Sequence, residues 1–144
     1  MPDVQSAADR PVARPHPRRD PDSLPYWDAA QRHELLIQRC DQCGAHRFYA
    51  RLLCPRCWSP DVTWERSSGR GTIYSFTIVH RAPSEAFRAL VPYVVAVIDL
   101  EEGVRVMANI LGTSPDDVRV GAPVRVVFEA IDDAVTLPQF ELEG

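Results

Sequence analysis

The stretch CDQCGAHRFYARLLCPRC, residues 40–57, holds all four cysteines of a chain of 144 residues. They stand as Cys40-x2-Cys43 and Cys54-x2-Cys57. Two residues between thiols let one tight turn aim both sulfurs at a single ion, and two such knuckles complete a tetrahedron. Gly44 follows the first pair and can take the positive φ that lets backbone N–H groups approach the sulfurs. Trp58 holds that place after the second pair, which predicts a different turn there. Pro55 fixes φ inside the second knuckle. The intervening residues 44–53 suffice for a hairpin of the zinc-ribbon kind. Four cysteines favour structural Zn²⁺ over iron, and a fourfold protein ligand set leaves no position for a catalytic water.

A ribbon of about 30 residues cannot stabilise itself by apolar burial alone. Metal binding, on the order of 10 kcal/mol in small zinc modules, takes over that task. Four thiolates around Zn²⁺ carry net negative charge. Arg39, Arg47, Arg51 and Arg56 lie close enough in sequence to offset it, or stand as solvated surface residues.

Outward from the ribbon, the bulk numbers are those of an ordinary globular protein: 45% apolar, 25% charged, net charge −4. That balance argues against a polyanion binder. All 16 basic residues are arginine, each a planar fork suited to phosphate or carboxylate. No apolar run approaches the roughly 18 residues of a membrane span, and the N-terminus has no hydrophobic signal core. A cytoplasmic location is the expectation, and clustered cysteines there read as a metal site before disulfides.

Residues 1–22 hold five of the 13 prolines and almost no large apolar side chain, so a disordered Pro/Arg-rich tail is expected. Residues 23–38 follow as a lead-in: Ser23 as N-cap, a short helix over Pro25–His33 anchored by Tyr26 and Trp27, then a strand at LLIQR. The zinc ribbon takes 39–66 and a barrel 67–144. In the barrel, GRGTIYSFTIVHR (69–81) alternates, with Tyr74, Phe76 and Ile78 on one face and Ile73, Ser75, Thr77 and Val79 on the other. Gly69 and Gly71 mark a bend or bulge at its start. Residues 82–90 form a loop. PYVVAVIDL (92–100) reads as a strand buried on both faces. VRVMANIL (104–111), PVRVVFEA (123–130) and TLPQFELE (136–143) complete five strands with no long helix. The fold class is mainly β: a short helix, a rubredoxin-like four-cysteine ribbon and a five-stranded OB-type barrel.

No catalytic constellation is legible. His16, His33, His46 and His80 have no nucleophile beside them. Ser75 lacks a nucleophile elbow, Asp99 lacks a partner carboxylate, and GRG at 69–71 is too short for a phosphate loop. The chain reads as one that binds or docks and does not react.

The order YWDAAQRHELLIQRCDQCG, LCPRC, GRGTIYSFTIVHR, PYVVAVIDLEEG, VGAPVRVVFE and LPQFE, from Tyr26 to Phe140, resembles the acyl-CoA-associated zinc-ribbon/OB-fold family, first catalogued as a domain of unknown function. Many members carry Pro-Pro-Arg between the knuckles; this chain has Tyr49-Ala50-Arg51, keeping the arginine. The resemblance implies a non-catalytic accessory subunit of a thiolase-like enzyme or of a MaoC-type acyl-CoA hydratase. Such subunits help hold the acyl-CoA thioester, in some cases during steroid side-chain breakdown by a thiolase-like aldolase. It implies a hetero-oligomer, with the helix and ribbon docking and the barrel near the acyl-CoA. Arg70, Arg81 and Arg88 are candidates for CoA or partner contact, as are Arg51, Tyr26 and Trp27; solvated rim or internal packing is the competing role for each. Two other readings stay open. One is a single-strand nucleic-acid binder, opposed by the acidic balance and the lack of a dense basic-aromatic groove. The other is an iron–thiolate electron carrier.

Overall fold

The computed structural model describes residues 13–144. Helix α1 spans Leu24–Gln31, with a proline in its first turn and Ala29 and Ala30 buried. Those two small residues let the helix axis come close to the sheets beneath it. Ser23 is at the N-cap, but its hydroxyl donates to the Asp20 carbonyl (3.1 Å) instead of capping the helix amides. The helix ends before His33, which adopts φ 61° and stacks its ring on Phe128 with centroids 5.1 Å apart.

Residues 13–22, within the expected tail, carry defined contacts. The Arg14 guanidinium meets the Glu129 carboxylate at 2.9 Å, and His16 pairs with Asp132. Residues 1–12 of that expected tail lie outside the described residues.

The ribbon is a three-stranded antiparallel sheet in the order β2-β1-β3, built from β1 (Leu36–Cys40), β2 (His46–Arg47) and β3 (Val62–Arg66). Strand β3 was not anticipated. VTWER is short and carries two charged residues, so its register against β1, from Leu36↔Arg66 to Cys40↔Val62, specifies it more than its own pattern does.

The barrel closes through β4 (Arg70–Val79), β5 (Tyr93–Leu100), β6 (Arg105–Ile110), β7 (Pro123–Ala130) and β8 (Thr136–Leu142), in the order β4-β5-β6-β8-β7 and back to β4. The five strands expected from the sequence form a barrel, and it is fully closed. Two expectations about faces need correction. Strict alternation along β4 fails at Tyr74. The ladder to β5 slips between Ile73 and Ser75, so Ile73 (1% exposed) shares the core with Phe76 and Ile78 while Tyr74 is half exposed. One inserted residue turns every later side chain to the opposite face. Strand β5 is buried on one face only: Val94, Ala96, Ile98 and Leu100 are inside, while Tyr93, Val95, Val97 and Asp99 are half covered.

The two glycines at the start of β4 serve different ends. Gly69 has φ +75°. Gly71 lets β5 close in: a Cβ there would lie 2.4 Å from the Asp99 carbonyl oxygen. Leu35 and Ile37, leading into and along β1, belong to the same buried cluster as Ile73, Ile98, Val124 and Phe140 of the barrel. Ribbon and barrel therefore share one core. Among the described residues no helix is long and apolar enough to cross a membrane.

Candidate metal centre and binding surfaces

The first knuckle leaves β1 at Cys40. Its amide donates to the Ala45 carbonyl (2.9 Å), and the Gly44 amide returns to the Cys40 carbonyl (2.9 Å). The second knuckle repeats the pattern: Cys54 N–H to the Ser59 carbonyl (2.9 Å) and Trp58 N–H to the Cys54 carbonyl (2.8 Å). Gly44 has φ 76° and Trp58 φ 68°. The expected difference between the two turns is therefore absent, and Trp58 adopts the left-handed conformation that suits glycine. For a residue with a Cβ this costs roughly 1–2 kcal/mol.

The knuckles bring the four sulfurs within 4.8 Å of one another, with Cys40 Sγ 3.5 Å from Cys57 Sγ and Cys43 Sγ 3.7 Å from Cys54 Sγ. A tetrahedral Zn²⁺ with Zn–S of about 2.3 Å requires sulfurs about 3.8 Å apart. The donor set fits zinc, and all four positions are protein ligands. Amides of the knuckles supply part of the charge balance. The Arg56 and Cys57 amides lower the Cys54 thiol to about 6. The Cys43 amide, 3.5 Å from Cys40 Sγ, lowers Cys40. For Cys57 the Ser59 amide lowers the pKa, but burial and the three neighbouring sulfurs outweigh it and push the thiol up to about 12. Four sulfurs this close cannot all be thiolates without a cation among them.

The arginines near the ribbon do other work. Arg39 pairs with Glu65 at 2.8 Å, and the same carboxylate reaches His46 at 3.0 Å. Arg47 Nε donates to the Gln38 side-chain oxygen (2.7 Å), which also accepts the Arg51 amide (3.0 Å). Buried Gln38 thus fixes the course of the hairpin at the Tyr49-Ala50-Arg51 step. Arg51 and Arg56 are exposed and make no ion pair among the described residues.

The remaining expected contact residues fall in three separate places. Tyr26 and Trp27, ring centroids 4.8 Å apart, line a groove of about 370 Å³ with Phe48, Tyr49 and Met107, between α1, the ribbon hairpin and the barrel. Arg81 and Arg88 meet His80 in a cleft of about 480 Å³ beside the β4–β5 loop. Arg88 is held there by Glu85 at 2.9 Å. Arg70 lies apart, in a cleft with Asp99 and Glu143, 3.7 Å from the latter. The structure thus joins Arg81 with Arg88, and Tyr26 with Trp27, and places Arg70 in a cleft of its own; Arg51 follows Tyr49 and Ala50, which line the Tyr26–Trp27 groove. The sequence reading passed over Leu52, Leu53 and Trp58 as surface residues; a tryptophan in the slot of a knuckle glycine was the available signal.

Family models for the ChsH2 rubredoxin-like zinc ribbon domain and the ChsH2 C-terminal OB-fold domain match residues 27–63 and 64–129 in turn. A DUF35 domain-containing scaffold protein of Methanothermobacter thermautotrophicus is 37% identical over 102 residues, covering 70% of this chain and 76% of that protein. The chain belongs to the DUF35 family. A solved family member, from a structure described as an Ltp2-ChsH2(DUF35) aldolase, superposes with a TM-score of 0.81 at 35% identity, covering 88% of this chain and 98% of that one. A probable enoyl-CoA hydratase alpha subunit of Thermomonospora curvata is 37% identical over 127 residues. Those residues are 88% of this chain but 39% of that subunit, so the match spans well under half of the hydratase relative. DUF35 relatives are thus scaffolds or subunits of larger enzymes, and the metal in this fold belongs to a zinc ribbon.

Proposed function

We propose that this chain is a non-catalytic accessory subunit that assembles with a thiolase-fold enzyme, of the aldolase or thiolase type, or with an acyl-CoA hydratase, and helps hold the acyl-CoA substrate. The observation that carries the reading is the end-to-end match to the solved DUF35 chain, 98% of which is covered, in a structure whose description names a second component, Ltp2. The closed four-sulfur site supports a scaffolding metal, since a catalytic zinc keeps an open position. The cleft that joins His80, Arg81 and Arg88 offers two guanidinium forks to the phosphates of CoA.

Co-expression with the thiolase-like enzyme tests this reading. The expected result is a stable hetero-oligomer by light scattering, with thioester chemistry in the complex and none in the isolated chain. Replacing Arg81 and Arg88 by alanine in the complex should raise KM for the acyl-CoA about tenfold with kcat little changed, because phosphate contacts remote from the reacting carbon bind ground and transition states alike. An enzyme equally soluble and active without this chain would overturn the reading.

A further inference from the structure

The two zinc knuckles have the same backbone and the same hydrogen bonds, so a comparison between them separates what folding needs from what it does not. The first knuckle uses Gly44 at the left-handed position and presents Asp41 and Gln42 to solvent. The second places a tryptophan at that position, with its side chain turned outward: Trp58 is 77% exposed. Among the described residues the Trp58 ring makes no hydrogen bond and no aromatic contact that would offset the backbone cost of a Cβ there. Leu52, 73% exposed, and Leu53, 48% exposed, lead directly into the same knuckle. Three large apolar side chains thus project from a loop clamped by four sulfurs. The cations beside them, Arg51 and Arg56, are exposed and carry no ion pair among the described residues, so their charge is available at the margin of this apolar patch.

We propose that the second knuckle, through Trp58, Leu52 and Leu53 with Arg51 and Arg56 at the margin, is a docking surface. It inserts into an apolar hollow rimmed by carboxylates on the thiolase-fold enzyme subunit. The proposal rests on the assembly proposed above and names the surface that makes it. Strained backbone persists where something outside the local fold compensates it, and an aromatic anchor in a partner's pocket is such a compensation. Charge selects the occupant. A second copy of this chain, packed about a two-fold axis on this surface, would bring Arg51 and Arg56 against their own copies. An acidic rim meets them instead.

The experiment measures two quantities on the full zinc-loaded chain: its Tm alone, and its affinity for the purified Ltp2 component of the solved aldolase by interferometry. Trp58→Gly is expected to raise the Tm of the isolated chain and to weaken binding by about tenfold or more. Leu52→Ser should leave the Tm unchanged and weaken binding as well. Arg56→Glu should weaken binding most at low ionic strength. Wild-type affinity in both Trp58→Gly and Leu52→Ser would overturn the knuckle as the docking surface while leaving the assembly standing. Failure of the wild-type chain to bind would overturn assembly with an aldolase of this type, and the surface proposed for it. A lower Tm or loss of folding in Trp58→Gly, or a wild-type homodimer that this substitution dissolves, would also overturn the proposal.

Discussion

At the scale of single residues, the sulfurs and one partly buried phenol set the pH and metal dependence. Cys43 is the exposed member of the four ligands, so its replacement opens no cavity and tests coordination alone. Cys43→Ser is expected to lose stoichiometric zinc, measured by atomic absorption, and to lose several kcal/mol of stability, a large share of the roughly 10 kcal/mol that such a site supplies. A variant that keeps one zinc per chain and the wild-type Tm would contradict the structural role. Tyr26 behaves differently. Burial first, and the neighbouring Tyr49 second, raise its pKa above the ordinary tyrosine value. The fold therefore favours the neutral phenol. Its contribution is complete below the unfolded pKa of about 10 and is lost as pH rises beyond it. Tyr26→Phe should match the wild-type Tm at neutral pH and fall less steeply with pH above about 10. Parallel curves for the two proteins would show that the alkaline limb has another source.

At the scale of elements, the barrel depends on how its β6–β8 seam closes. The strands are parallel there, and the ladder registers only Ile110↔Phe140, with the Leu111 amide donating to the Phe140 carbonyl at 2.8 Å. Side chains complete the seam. Gln139 accepts the Asn109 amide through Oε1 (2.7 Å) and donates through Nε2 to Asn109 Oδ1 (3.2 Å), while Asn109 Nδ2 donates to the Val94 carbonyl (2.9 Å). Gln139→Leu keeps the volume and leaves a backbone N–H unmet, which should cost about 1–3 kcal/mol in urea unfolding. Faster hydrogen exchange at Asn109 and Leu111 than in β5 would place the loss at the seam. The seam also marks the limit of what the sequence makes legible. Strand positions could be read from local apolar pattern, and the metal ligands from spacing, because both signals are short-range. Pairings between distant segments leave no such trace: β3 exists through β1, and Gln139 in a strand looks like any polar residue. The bulge at Tyr74 escaped for a related reason, since alternation carries no mark of an inserted residue until its partner strand is known. Trp58 was visible, but its meaning needed the hydrogen bonds of both knuckles side by side.

At the scale of the whole molecule, the question is whether ribbon and barrel unfold as one body. Leu35 and Ile37 enter the barrel's buried cluster from the ribbon side, and Tyr26 and Phe48 pack against it from α1 and the hairpin. Phe48 is carried on the segment between the two cysteine pairs, so its position depends on the metal. If the cluster is one cooperative unit, an ion bound at the far end stabilises strands it never touches, because it binds the folded ribbon and not the unfolded chain. Stripping the zinc with a chelator should then lower the Tm of the barrel by at least about 10 °C in a single calorimetric transition, with faster exchange at β5 amides as well as at the knuckles. Two transitions, with the barrel melting where the zinc-loaded protein does, would instead make the ribbon an independent module resting on a self-sufficient barrel. The single-transition outcome has a consequence for assembly. A docking surface on the knuckle would then be coupled through the shared core to the arginine cleft beside the β4–β5 loop, so that binding a partner at one end stiffens the site at the other.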